Sequence, residues 1–331
     1  APEGRFVQAI TQAPDGTMWA GTSLGLSYFD GQTWHDEPSP FEGEHYIAYI
    51  LFEPDGTMWV TGFTEYPASS NVHEWLGLAR FDGERWTYSQ VVGDAEIRSY
   101  PILGPNDNVW VETESGVASF DGETWTHHTT IGPNDDPVIY PTNTFDGNLL
   151  FRTETGALLF DGASWTPYTF PEENYSPIDV APDGTLWAYN DVYDSGVASF
   201  DGHTWTEYTV DNGLTSNLYC HIQITPDGTV WVITDAGFSA FADGEWTIYR
   251  GGEDYVAGRD DEICREFVKV TPDGTLWVGA REGLYQFDGQ QWIQHTCRDG
   301  LSRNWVTDIA QGPDGTIWVA TWDSGLSHYT P

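Results

Sequence analysis

Pro14-Asp15-Gly16-Thr17-Met18-Trp19 returns as Pro54–Trp59, Pro182–Trp187, Pro226–Trp231, Pro272–Trp277 and Pro313–Trp318. Two degenerate copies, Pro105-Asn106-Asp107-Asn108-Val109-Trp110 and Phe145-Asp146-Gly147-Asn148-Leu149-Leu150, bring the number to eight, at spacings of 37 to 51 residues. A second motif, Phe29-Asp30-Gly31-Gln32-Thr33-Trp34, follows the first copy and has counterparts ending at Trp86, Trp125, Trp165, Trp205, Trp246 and Trp292. The eighth copy runs to Tyr329-Thr330-Pro331 without reaching it. Repetition at this period marks propellers, solenoids and related arrays.

Each unit reads as a four-stranded meander. A β-rich run such as Phe6–Ile10 precedes the first motif, and its Asp-Gly pair supplies the positive backbone angles of a hairpin turn. A second strand covers Thr17–Gly21 and a third Leu26–Phe29. A second Asp-Gly turn then leads into the Trp34 strand. Four short strands in roughly 40 to 45 residues make a propeller blade. The expectation is an all-β, eight-bladed β-propeller of four-stranded antiparallel blades. It forms one domain over 1–331, with units near 1–40, 41–92, 93–131, 132–171, 172–212, 213–256, 257–298 and 299–331. The last blade is expected to be three-stranded, with an open edge at Leu326–Tyr329 that invites a strand from another chain.

Composition narrows the function. There are 51 acidic residues against 12 basic ones, a net charge of −39, and Lys269 is the sole lysine. No basic surface for nucleic acid can be assembled from this, and anionic membranes are repelled. No apolar run of about 18 residues exists to span a membrane. The opening Ala-Pro-Glu suits a mature terminus left after signal cleavage. Three cysteines, Cys220, Cys264 and Cys297, allow one disulfide and one free thiol. Cys264–Cys297 is the candidate bridge, with Cys220–Cys264 as its rival.

Of the 17 tryptophans, seven fall on second strands and seven on fourth strands, where repeat packing accounts for them. Trp75, Trp305 and Trp322 are off register and invite a functional reading. Aligning the innermost strands on their Pro-Asp-Gly turns puts Tyr49, Tyr100, Tyr140, His221, Phe267 and Asp308 at one position. Arg5, His45, Arg98, Tyr175, Tyr219, Arg265, Glu266 and Trp305 fall nearby. Such residues at a channel mouth suit stacking and hydrogen bonding to a sugar or other polar ligand. The ligand-binding candidates are Arg5, His45, Tyr49, Arg98, Tyr100, Tyr140, Tyr219, Arg265, Trp305 and Trp322.

The face opposite the Asp-Gly turns carries the variable loops, Gly62–Gly77, Tyr189–Gly196 and Gly251–Ile263. Asp191, Asp194, Asp260 and Asp261 supply oxygen ligands for calcium, without the spacing of a calcium loop. No cofactor is required by any motif. His221, Glu266 and Asp308 are the acid–base candidates. There is no nucleophile elbow, His-Glu-x-x-His or phosphate loop.

The motifs resemble the two-component-regulator type propeller repeat. The elements that carry the resemblance are Leu214-Thr215-Ser216-Asn217, Pro226-Asp227-Gly228-Thr229-Val230-Trp231-Val232, Phe200-Asp201-Gly202 with Trp205 and Tyr208-Thr209, and Gly300-Leu301-Ser302-Arg303-Asn304. The resemblance implies the extracytoplasmic sensor half of a hybrid histidine kinase, outside the cell or in the periplasm. The Pro-Asp-Gly-x-x-Trp rhythm is also similar to that of virginiamycin B lyase. Three readings stay open. The first is a binding module for a glycan or other polar ligand. The second is a lyase or hydrolase using histidine and carboxylates. The third is a structural subunit joined to another protein chain through the eighth blade.

Overall fold

The structure is a computed structural model; it describes residues 6–43, 45–64, 75–92, 95–170, 175–190, 195–250, 267–322 and 324–330. Every regular element among them is a β-strand, and no helix is long and apolar enough to cross a membrane. The chain is an eight-bladed β-propeller. Seven blade sheets have strands joined in sequence order by antiparallel pairing, and blade 8 has three strands. Blade 4 exceeds the expected four strands, because Thr130–Ile131 pairs with the start of Asp136–Asn143 as a short extra strand. Gly132 and Asp135 take positive φ in the turn between them.

The chain divides into two compact units. One comprises residues 1–91, 96–101 and 265–331, the other 92–95 and 102–264. The first holds blades 1, 2, 7 and 8; the second holds blades 3 to 6.

The two repeated turns differ in geometry. In Pro14-Asp15-Gly16-Thr17, Gly16 N–H donates to the Ala13 carbonyl at 2.9 Å and Ala13 N–H to that of Thr17 at 2.8 Å. Only Gly16 takes positive φ, +90°, and the Asp15 carboxylate accepts the Thr17 N–H at 2.9 Å. The expected pair of positive angles is thus reduced to one, because Pro14 and Asp15 form the two corners of the 13–16 turn, neither of which needs positive φ, and only Gly16 beyond them turns left-handed. In the second turn Asp30 accepts the N–H groups of both Gln32 and Thr33 at 2.8 Å. Those bonds, with His35, hold its carboxyl well below the usual range. Only in blade 6 do both residues of an Asp-Gly pair turn left-handed, Asp243 at 52° and Gly244 at 80°.

Blades pack through aromatic rings. In the first unit Trp318 of blade 8 meets Phe29 and Trp34 of blade 1 at 5.3 and 5.7 Å, and Trp19 meets Phe52 of blade 2 at 6.0 Å. In the second unit Trp110 meets Phe151 at 5.2 Å, and Trp187 meets Phe241 and Trp246 at 5.4 and 6.1 Å. Aliphatic side chains complete each seam; between blades 1 and 2 these include Leu26, Ile47, Met58 and Val60.

Blade 8 ends at Gly325–Tyr329, which among the described residues pairs with Ile317–Thr321 alone. Tyr329 takes the place of a third-strand phenylalanine and lies 5.6 Å from Trp277 of blade 7. Blade 8 is joined to blade 1 by side chains of its first strand. Thr307 Oγ1 donates to the Val7 carbonyl at 2.8 Å, and the Asp308 carboxylate accepts the Ile10 N–H at 2.8 Å.

Gly21, two residues after Trp19, lets blade 2 approach closely: a Cβ there would lie 2.7 Å from the Ile47 carbonyl oxygen. Gly279 holds the same repeat position after Trp277, with Val306 Cγ1 2.4 Å from where a Cβ would stand. We expect Gly21→Ala to cost about 1–3 kcal/mol, the usual cost of overpacking, read by chemical denaturation. Gly31→Ala serves as the contrast, since no atom lies within 4 Å of its Cβ position and its cost is one of backbone angle alone. An unchanged midpoint for Gly21→Ala would contradict the close approach.

Candidate functional site

Strand register sets which residues the innermost strands share. Tyr49 pairs with Thr61, Tyr140 with Arg152, His221 with Ile233, Phe267 with Gly279 and Asp308 with Ala320. Each partner lies two residues beyond the second-strand tryptophan, or beyond Leu150 in blade 4. Ala9 and Ser176 hold this position in blades 1 and 5. A register shift immediately precedes Ala9, Tyr49, Tyr140, His221 and Asp308. A bulge of this kind redirects the side chain that follows it.

In the first unit these residues converge. Tyr49 stacks on Tyr100 with ring centroids 5.0 Å apart, and Tyr100, 39% exposed, also meets Trp75 at 5.6 Å. Burial, then the charge of Asp308, pushes the Tyr49 hydroxyl up to about 12. Asp308 lies deep among protein atoms while keeping part of its surface open. Burial raises its carboxyl to about 7, against the opposing pull of the Ile10 and Ile309 N–H groups and of Lys269.

Farther along the same unit is a second aromatic row. Trp305 precedes the first strand of blade 8, Val306–Gln311, and Trp322 follows its second, Ile317–Thr321. The indoles stack at 4.7 Å with 12° between their planes, and the Trp322 backbone N–H donates to the Trp305 carbonyl at 3.0 Å. Phe6, ahead of blade 1, meets Trp322 edge-on at 5.8 Å. Arg281, in the loop between the second and third strands of blade 7, sets its guanidinium 4.5 Å from the Trp305 ring centre. Phe6, Trp305 and Trp322 remain 40%, 38% and 40% exposed. Three large aromatics exposed side by side in an otherwise acidic chain form a ready surface for an apolar sugar face or another ring.

The remaining expected residues are dispersed. His45 is buried, its Nδ1 2.8 Å from the Gly43 carbonyl and its Nε2 2.5 Å from Ser39 Oγ. Arg98 lies 3.7 Å from Glu96. In the second unit Tyr140 is raised by burial and hydrogen-bonds Ser176, to which Arg152 also donates. His221 is held at about 4 by burial, so its imidazole is neutral at pH 7. Tyr219 and Cys220 open the first strand of blade 6, Tyr219–Ile224. Cys297 is exposed. Arg5, Asp191, Asp194, Asp260, Asp261, Cys264, Arg265 and Glu266 lie outside the described residues. Among the described residues, no group of three or more His, Cys, Asp and Glu is placed to hold a metal ion.

Phe6 and Arg281 were not singled out as site residues in the sequence. Their signal there was faint: Phe6 reads as the start of a strand, and Arg281 is one basic residue in a blade-7 loop.

Fold and site together define a β-propeller with an exposed aromatic row on one unit. The family model described as two component regulator propeller matches residues 300–323, the stretch that holds Trp305, Asp308, Trp318 and Trp322. No curated protein matches the chain. Among solved structures, the extracellular domain of the putative hybrid two component system BT3049 from B. thetaiotaomicron is 18% identical. That match has a TM-score of 0.51 and covers 98% of this chain and 39% of that one. PorZ, an essential surface component of the type-IX secretion system of Porphyromonas gingivalis, is 18% identical with a TM-score of 0.54, over 95% of this chain and 51% of its own. A catalytically inactive virginiamycin B lyase from Staphylococcus aureus with quinupristin is 13% identical with a TM-score of 0.51, over 99% and 96%. The chain therefore spans about two-fifths and one-half of the first two proteins. At these identities the likeness is one of fold.

The raised carboxyl of Asp308 has a defined consequence for stability. With a folded value of about 7 against the ordinary 3.8, the folded protein binds the proton more tightly than the unfolded chain. Its contribution is full below pH 4 and is lost as pH rises through 7, on the order of 4 kcal/mol. Denaturation of wild type and Asp308→Asn across pH 4 to 8 should show wild type losing stability relative to the variant over that window. Parallel curves would show that Asp308 titrates normally.

Proposed function

We propose that the chain is an extracytoplasmic binding or sensor propeller that recognises a polar ligand, a glycan foremost, on the row Phe6, Trp322 and Trp305. The stacked, partly exposed Trp305–Trp322 pair carries this reading. Neither indole is needed to fill a blade seam, since both stand outside the strands whose tryptophans pack blade on blade. Rigid aromatic faces with polar rims are the usual platform for sugars. The extracellular placement of the sensor domain it resembles supports the same reading. Glycan-array screening followed by titration calorimetry tests it. Trp305→Ala and Trp322→Ala should each weaken binding of the selected glycan roughly tenfold or more, the loss expected when an aromatic anchor is truncated. Full affinity in both variants, with Tyr100→Ala impaired instead, would move the site to the Tyr49–Tyr100 stack.

The edge of blade 8 favours a second reading, as a subunit that accepts a strand from another protein chain along Gly325–Tyr329. Proline in place of the exposed His328, whose N–H faces away from Ile317–Thr321, would remove an edge donor while leaving the blade's own ladder paired. Light scattering over a range of concentrations would then show association in wild type and none in His328→Pro. A wild-type monomer throughout would set this reading aside.

A further inference from the structure

Arginine is scarce in this chain and mostly engaged. Acidic residues outnumber basic ones 51 to 12. Arg80 and Arg85 lie 4.0 and 3.5 Å from Glu53 and Asp82, Arg98 lies 3.7 Å from Glu96, and Arg152 donates to the Tyr175 carbonyl and Ser176 Oγ. Arg281 departs from this pattern. Among the described residues it forms no ion pair, and its guanidinium instead lies over the Trp305 ring. A guanidinium held over a ring rather than paired to a carboxylate keeps N–H donors for an anion, in the fork geometry that matches a carboxylate. The ring beneath it also fixes the group in place, so little side-chain freedom remains to be lost when an anion arrives.

Trp305, which Arg281 covers, stacks in turn on Trp322. A cation held ready in this way, beside exposed aromatic faces, fits a ligand with both an apolar ring face and an acidic group. The net charge of −39 does not remove the effect, because salt at physiological strength screens charges beyond about 8 Å and leaves the nearest guanidinium dominant.

We propose that the aromatic row takes a sugar bearing a carboxylate, a hexuronate unit, with the acid paired to Arg281. The inference rests on the glycan reading given above and adds the ligand class and the residue that selects it. Arg281 acts on the ligand's charge, Trp322 and Phe6 act on its ring, and Trp305, between Arg281 and Trp322, holds the two in place.

The probes are uronate trisaccharides (galacturonate, mannuronate and guluronate) and their methyl esters, which keep the shape and remove the charge. Calorimetry on wild type should find at least one free acid bound roughly ten- to hundredfold tighter than its ester, the range for a charge-assisted pair. Arg281→Met should erase that preference while holding ester affinity within about twofold, and Arg281→Lys should keep part of it. Ester affinity, together with the near-ultraviolet circular dichroism of the stacked indoles, checks that Arg281→Met leaves the platform in place. An acid-to-ester ratio unchanged in Arg281→Met overturns the proposal. Equal binding of acid and ester that Trp322→Ala abolishes overturns it too, while leaving the glycan reading intact. If neither form binds wild type while the array selects another glycan, the proposal falls and the glycan reading stands; if the array also selects nothing, both fall.

Discussion

Packing of second-strand tryptophans against the next blade, within each compact unit, is the contact on which the fold depends. A four-stranded meander of this size cannot bury both faces by itself, so each blade is stable only against its neighbours. Trp19, Trp110, Trp187 and Trp318 each reach an aromatic ring of the following blade. The glycines at Gly21 and Gly279 are part of the same constraint, because a side chain there would hold the next inner strand away. Repeat spacing, glycine placement and aromatic content thus have one physical origin.

The inner strands share that duty through residues such as Ile47 and Val306, and vary at the position that Tyr49, Tyr140, His221 and Asp308 hold. Their edge has no strand beyond it, so their N–H and C=O groups must find partners elsewhere. Asp308 answers this for blade 8 by accepting both the Ile309 and the Ile10 N–H groups, at 2.8 Å each. Asp179 does the equivalent in the second unit, accepting the Phe145 N–H at 3.0 Å and that of Val180 at 2.8 Å. Both carboxyls are raised to about 7 by burial. In blade 8 the Asp308 and Thr307 bonds tie its first strand to the first strand of blade 1.

The candidate platform was half legible. Trp305 and Trp322 announce themselves because they break a rhythm that explains fourteen other tryptophans, and the structure stacks them at 4.7 Å. Phe6 and Arg281 break no rhythm. They join the row only because the approaches to blades 8 and 1 and a loop of blade 7 converge, which spacing along the chain does not encode. His45 shows the reverse: a histidine among the candidate residues, it spends both ring nitrogens on local backbone and serine.

The chain's repeat by itself determined the all-β class, eight blades and the three-stranded last blade, because each follows from local turn chemistry and from counting strands. Proline, glycine and alternating aromatics act over a few residues, and a linear reading captures them. Tertiary structure alone decided where the bulges fall ahead of Tyr49, Tyr140, His221 and Asp308, and that Tyr49 stacks on Tyr100. It alone set Arg281 over Trp305. These depend on how separate strands slide into register and which loops meet, and such distances are set by packing between residues far apart in the chain.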